Sequence, residues 1–332
     1  MRLLKRRPKA TPDLRAEIGR LTEANRARRD PETERRLLRL RHEAAIELLD
    51  GAGPPPGWPE PETDRLPPTS EGLPEIAAAD LTPGLVRAAI LRDGCLLVRG
   101  LVAREEALRF AADIDRAFEA RERREAGATS DPGLYDEFLP DPRFEPTGVR
   151  DWVKLGGGVL AADSPTLTFR MMELLQGAGF PALVEGYLGE PGLISLHKTT
   201  LRKADPSVPG AWHQDGAFMG PVRALNLWLA LSRCGDEAPG LDLVPRRLER
   251  IVATQTDEAV LDYQVSQAKA EEAAGERGIV RPIFEPGDAL LFDELFLHQT
   301  GSDPGMPKPR FALENWFFGP SAFPDDYAPL AV

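Results

Sequence analysis

AWHQDGAFMGPVRALNLWLAL, residues 211–231, decides how the chain reads. Its second part, Ala224 to Leu231, is an apolar run bounded by turn residues, the signature of a buried strand. Its first part holds His213-Gln214-Asp215. On a strand, positions i and i+2 face the same side, so an imidazole and a carboxylate would project side by side. A His–Asp hydrogen bond in a turn would explain the triplet equally well, and the spacing alone is a weak sign of a site.

Similar runs surround this stretch. Leu193–Leu201, Ala211–Asp215, Ala224–Leu231, Leu241–Val244, Gly278–Phe284, Ala289–Phe292, Leu295–Thr300 and Arg310–Phe318 read as short strands, with a helical insertion over 256–274. Upstream, Thr82–Arg92 has helical spacing broken by Asp93-Gly94. Cys95–Val102 reads as a strand, Arg104–Arg124 as a long helix, and Leu167–Leu188 as helix interrupted around Gly177–Pro181. Strands in one half and helices in the other indicate an α+β fold, a sandwich or barrel with supporting helices. The irregular stretch 127–166, rich in Gly, Pro and Asp, reads as a functional loop or lid.

Residues 12–50 read as helix, with Leu37, Leu40, Ala44 and Leu48 along one side and Glu32/Arg36 and Glu34/Arg39 as charges of a solvated face. The arm is expected to pack on the main body or on a second copy, which makes it a candidate homodimer contact; a basic arm that recruits nucleic acid or an anionic membrane is the alternative. Eight prolines between residues 54 and 74 form a stiff linker. The expected organisation is therefore a basic helical arm over 1–53, a proline-rich linker over 54–75 and a main domain over 76–332.

Composition narrows the function. The 332 residues carry a net charge of −12, yet residues 1–45 alone hold 14 Lys/Arg against 7 Asp/Glu. The main body is therefore strongly acidic, which argues against nucleic acid as a partner. The basic stretch Met1–Pro12 leads into no apolar h-region, so no secretory signal is read there. Two distant cysteines, Cys95 and Cys234, exclude a disulfide scaffold and suit a reducing compartment. No apolar run is long enough for a membrane span. The expected location is cytoplasmic.

Four histidines exist in all: His42, His197, His213 and His298. His42, in the charged arm, is expected at the surface. His298 ends Leu295-Phe296-Leu297, beyond the turn Pro286-Gly287-Asp288. It is the second imidazole needed for a two-His, one-carboxylate set, which takes three positions on an octahedral iron and leaves three open. A hydrogen-bonded core histidine is the plainer alternative. Arg310 opens the apolar strand Arg310–Phe318; pointed inward, its planar fork would need an anion such as a carboxylate. Thr300, on the same face as His298, can add a hydrogen bond. His197 and Lys198 alternate on one strand, so one of them can face the cavity. Arg202, Phe218, Met219, Arg246 and Trp316 are candidates for a pocket lining.

His213-x-Asp215, the distal His298 and Arg310 resemble the non-haem Fe(II)/2-oxoglutarate dioxygenases. The strings Trp212-His213-Gln214-Asp215-Gly216, Ala224–Leu231, Pro286-Gly287-Asp288 and His298-Gln299-Thr300-Gly301 resemble the phytanoyl-CoA dioxygenase-like branch in particular, over roughly residues 76–320. The resemblance implies a double-stranded β-helix, jelly-roll or cupin-like, with supporting helices and the N-terminal arm outside it. It implies Fe(II) held by His213, Asp215 and His298. It further implies 2-oxoglutarate chelating the iron, its far carboxylate on Arg310 and Thr300, with O2 at the last position. Gln214 and Trp228 match positions that flank the cosubstrate, and Thr199 and Asn226 are further candidates. The implied reaction is oxidation of a small organic molecule, with succinate and CO2 released. The carboxylate Asp215, where halogenases of this superfamily carry a small residue, favours hydroxylation. Pro245-Arg246-Arg247-Leu248-Glu249 departs from the Pro-Gly-Ser-His of many relatives, and Gln299-Thr300 from their Gly-Ser. A non-catalytic β-helix that binds a ligand or partner is the alternative.

Overall fold

The computed structural model describes residues 13–69, 72–144, 148–208 and 210–332. The basic stretch 1–12 lies outside them. In chain order the elements are α1 (Leu14–Ala27), α2 (Pro31–Asp50), β1 (Glu75–Ala77), α3 (Pro83–Asp93), β2 (Cys95–Arg99), α4 (Arg104–Glu125), α5 (Val149–Leu155), β3 (Gly158–Leu160), α6 (Pro165–Gly177), α7 (Phe180–Leu188), β4 (Leu193–Ala204), α8 (Gly216–Met219), β5 (Ala224–Ala230), β6 (Gly240–Leu243), α9 (Gln267–Ala274), β7 (Ala289–Phe292), β8 (His298–Gly301), β9 (Arg310–Phe318) and β10 (Pro329–Ala331).

The large sheet runs β1-β2-β7-β5-β9-β4, with β10 and β3 both on the far edge of β4. All pairings are antiparallel except β1 with β2. Opposite it stands a smaller layer. There β6 pairs with β8, and single bridges extend it at both edges: His213 to His298 and Leu243 to Val280. Two facing antiparallel layers with this strand order make a double-stranded β-helix, an α+β architecture with helices packed outside the large sheet.

Strand alternation builds both faces. On β5, Leu225, Leu227 and Leu229 join the outer core with Phe110 and Ile114 of α4, Met171 of α6 and Val184 of α7. Ala224, Trp228 and Ala230 turn inward, with Phe292, Phe296 and Trp316. Two glycines fix corners. Gly94 closes α3 at φ 84°, letting β2 start at once. Gly287, at φ 99°, turns the chain into β7 where a Cβ would meet the Val102 carbonyl oxygen at 2.1 Å.

Several expectations are corrected. The helix over 12–50 is two helices. Asp30 accepts from Thr33 N as an N-cap and Pro31 takes the first turn, a restart signal in the sequence itself. Glu34 is not on a solvated face. It is buried, receiving Asn25 Nδ2 at 3.1 Å and the Thr166 hydroxyl. His42 is not at the surface. Its Nδ1 donates to Pro329 O at 2.7 Å, its Nε2 accepts from Asp141 N at 2.9 Å, and Phe138 and Phe144 flank it edge-on. α2 thus lies against β10 and α6.

The segment 127–166 is not a free lid. It contains α5 and β3, buries Leu134, Tyr135, Phe138, Phe144 and Val153, and is tied by Arg150 to Asp163 at 2.8 Å. The insertion over 256–274 is helical only from Gln267, and 211–215 and 278–284 take part as bridges rather than full strands. Among the described residues no helix is long and apolar enough to cross a membrane.

Candidate metal centre

His213 and His298 face each other across a two-way backbone bridge, with N–O distances of 3.0 and 3.1 Å, and their ring centroids lie 4.4 Å apart. Each Nδ1 meets a carbonyl two residues back in the chain: Ala211 O at 2.7 Å and Phe296 O at 3.0 Å. A carbonyl only accepts, so both Nδ1 atoms carry the proton and both Nε2 atoms keep a free lone pair, the tautomer a metal-binding imidazole needs. Asp215 sits where the chain leaves this layer for α8, and its Oδ2 lies 3.9 Å from His298 Nε2. One ligand atom from each of His213, Asp215 and His298 falls within 4.8 Å of the others.

The electrostatics keep this set in its ligating form. Burial alone would raise the Asp215 carboxyl, but the Lys198 ammonium and the two imidazoles outweigh it and hold it at about 2. Burial, then the neighbouring His213, press His298 down to about 4. At neutral pH the cluster is therefore a carboxylate with a neutral His298.

Arg310 enters from the large sheet and is buried. Its Nη1 donates to Gly240 O at 2.7 Å and its Nη2 lies 3.5 Å from Thr300 Oγ1. Its Cζ stands 5.5 Å from the Trp228 ring, which itself rests on Phe284 at 4.8 Å. Among the described residues three buried atoms on this wall find no partner: Arg310 Nε, Trp228 Nε1 and Asn226 Oδ1. Buried polar atoms are seldom left unpaired, so their gathering here marks space for a polar ligand. A two-His, one-carboxylate donor set beside a cationic, donor-rich wall fits Fe(II) with a dicarboxylate cosubstrate.

Three candidates are placed elsewhere. Gln214 points away from the cavity, and its amide is spent on backbone: Nε2 donates to Leu295 O at 2.6 Å and Oε1 accepts from Val252 N at 2.7 Å. It pins the loop that supports the triplet. Thr199 faces the helices, because it pairs with Asn315 on the outer face of β9, and its hydroxyl donates to Ser195 O. A bulge causes this: β4 spends five steps between Ile194 and Thr199 while β9 spends two. Arg246 is exposed and donates to Ala273 O, outside the pocket.

The same bulge brings in residues that alternation could not assign. Lys198 Nζ donates to Asp215 Oδ1 at 2.9 Å. His197 stacks on Tyr327 at 4.9 Å and accepts from Ala328 N. Glu314, four residues past Arg310 on the same face, pairs with Arg202 at 3.0 Å, and Arg202 also donates to Gly156 O. Their sequence signal is period two from Arg310, which places Glu314 inside. At the mouth, Phe218 lies 5.4 Å and His213 6.1 Å from the Tyr263 ring, and Trp152 lies 6.4 Å from it.

Residues 90–304 match the family described as phytanoyl-CoA dioxygenase (PhyH). No curated protein matches the chain. Among solved structures, EctD from S. alaskensis with 2-oxoglutarate and 5-hydroxyectoine is similar at 18% identity and TM-score 0.47, over 79% of this chain and 83% of that one. The same protein with bound Fe gives 19% and 0.46, over 72% and 78%. AviO1 from Streptomyces viridochromogenes Tue57 gives 19% and 0.46, over 74% and 98%. The family match spans well over half of the chain, and so the protein belongs to the phytanoyl-CoA dioxygenase family of oxygenases that use Fe(II), 2-oxoglutarate and O2.

Proposed function

We propose that the protein hydroxylates a small organic substrate, with His213, Asp215 and His298 holding Fe(II) and Arg310 anchoring 2-oxoglutarate. The observation that carries this is the convergence of three ligand atoms within 4.8 Å beside a buried guanidinium with an unpaired Nε. The balanced reaction is substrate C–H with O2 and 2-oxoglutarate going to C–OH, succinate and CO2. Bound iron would supply the activation of O2 coupled to cosubstrate decarboxylation.

The chain's own residues do the rest. The carbonyls of Ala211 and Phe296 fix the imidazole tautomers. Lys198 keeps Asp215 anionic, and Gln214 braces the loop behind it. Arg310 and Thr300 would bind the far carboxylate of the cosubstrate, Trp228 Nε1 and Asn226 being further contacts. Phe292, 4.8 Å from the His298 ring, and Trp316 keep this end of the cavity dry.

An anaerobic titration tests the reading. Fe(II) followed by 2-oxoglutarate is expected to raise a visible charge-transfer band that needs both. Admitting O2 is expected to yield succinate. A protein that forms no band with either order of addition is a ligand-binding relative and not an oxygenase.

A further inference from the structure

Lys198 has capacity beyond its bond to Asp215. An ammonium carries three donors. Among the described residues only Asp215 Oδ1 receives one of them, while the Phe218 ring stands 3.9 Å from Nζ. The carboxylate is thus divided, with Oδ2 turned to His298 and Oδ1 to the lysine. Lys198 is part-exposed, on the mouth side of the triplet.

Formal charge gives the next step. With iron and cosubstrate in place, the divalent ion, Lys198, Arg202 and Arg310 supply five positive charges. Asp215, Glu314 and the dicarboxylate supply four negative ones. Arg202 and Glu314 cancel each other, and Arg310 has its anion in the cosubstrate. The surplus is one positive charge, and Lys198 is the cation with donors to spare. A surplus charge that a bound substrate covers is costly unless the substrate brings a counter-charge with it.

The mouth beside it is aromatic. Phe218 and Trp152 are 39% and 56% exposed, with Tyr263 between them. Such an exposed aromatic cluster beside the triplet suits an apolar body.

We propose that the substrate is a monocarboxylate whose carboxylate is received by Lys198 beside the metal, with an apolar or aromatic body lying under Phe218, Tyr263 and Trp152. The inference rests on the reading of the site as an iron and 2-oxoglutarate centre. It makes Lys198 a specificity-determining residue. A dianionic phosphate ester would overcompensate the charge, and an amine would add to it.

Three matched probes test it: 3-phenylpropionate, its primary amide and 3-phenylpropylamine. Each is titrated without oxygen into the protein loaded with Fe(II) and 2-oxoglutarate, with binding heat and the charge-transfer band both followed. The carboxylate is expected to bind about tenfold tighter than the amide, the value of a charge-assisted bond over a neutral one, and the amine weakest. K198Q is expected to narrow the carboxylate–amide gap to about twofold, and K198R to keep it. An amide or amine that binds the wild type as tightly as the acid overturns the proposal, with the band intact and the site reading standing. A gap that survives K198Q also overturns it. A K198Q protein that no longer takes up iron makes Lys198 a metal-holding residue and overturns it as well. A wild type that forms no band fails at the earlier level, and the substrate assignment falls with the site.

Discussion

Two buried polar clusters in this molecule are built on opposite terms. At the seam where the arm meets the body, His42 uses both ring nitrogens, on Pro329 O and Asp141 N, and Glu34 receives Asn25 and Thr166. Inside the β-helix the imidazoles use one nitrogen each, and among the described residues Arg310 Nε, Trp228 Nε1 and Asn226 Oδ1 find no partner. The seam is closed hydrogen-bond chemistry, worth stability. The cavity keeps its donors and acceptors open at some cost in stability, as sites built to receive a ligand do. Burial of a histidine therefore does not distinguish the two roles; the state of its second nitrogen does.

The comparison breaks first at the triplet. His298→Ala or Asp215→Ala is expected to abolish the charge-transfer band and reduce succinate to background while the protein keeps its circular dichroism spectrum. Turnover at the wild-type rate in either variant would remove these residues from the iron site. Next comes the open wall. Arg310→Ala is expected to raise the Kd for 2-oxoglutarate about 100-fold, some 2.7 kcal/mol, with a much smaller effect on iron; equal losses in both would move the anchor elsewhere.

At the seam the expectation is reversed, with stability lost and chemistry kept. His42→Gln leaves the buried Asp141 N–H or the Pro329 carbonyl poorly paired and is expected to cost about 1–3 kcal/mol in denaturant unfolding, with the band unchanged. The seam also gives a pH signature. Burial lowers the His42 pKa below its ordinary value, and protonation would turn its accepting Nε2 into a donor facing Asp141 N–H. The stability it contributes is therefore complete above about pH 6.5 and is lost as pH falls below that. Melting temperatures of wild type should fall more steeply as pH drops below about 6.5 than those of His42→Gln; parallel curves would exonerate this histidine. The smallest change is at the mouth. Trp152→Ala, on an exposed ring, is expected to shift stability by less than about 0.5 kcal/mol while weakening the phenyl probes severalfold, and a large loss of stability would make that ring structural.

What the sequence disclosed follows from range. His213 and Asp215 are two residues apart, so their pairing was readable locally; His298 and Arg310 lie far along the chain, and only the family resemblance joined them to that pair. α3 and its Gly94 stop were legible locally too. Thr199 was not, because parity counted along β4 fails once a bulge intervenes, and only the pairing with Asn315 reveals its face. Lys198 was half legible: alternation offered one of His197 and Lys198, and only the bond to Asp215 singles out the lysine. Gln214 was misplaced because its partners, Leu295 O and Val252 N, lie far along the chain. His42 and Glu34 looked solvated because charged neighbours surround them; their burial comes from α6, β10 and the 127–166 segment, whose irregular composition hid a packed core. The break at Asp30-Pro31 was local and readable.

The bulge in β4 has a consequence for how such a protein diversifies. The rungs Ile194–Phe317 and Thr199–Asn315 hold the strand on either side of it. Residues gained, lost or exchanged between those rungs leave the rest of the ladder in place, and reach the triplet through the bond from Lys198 to Asp215. The wall that presents Lys198 is therefore a cassette: its length and side chains can change while the sheet around it keeps its register.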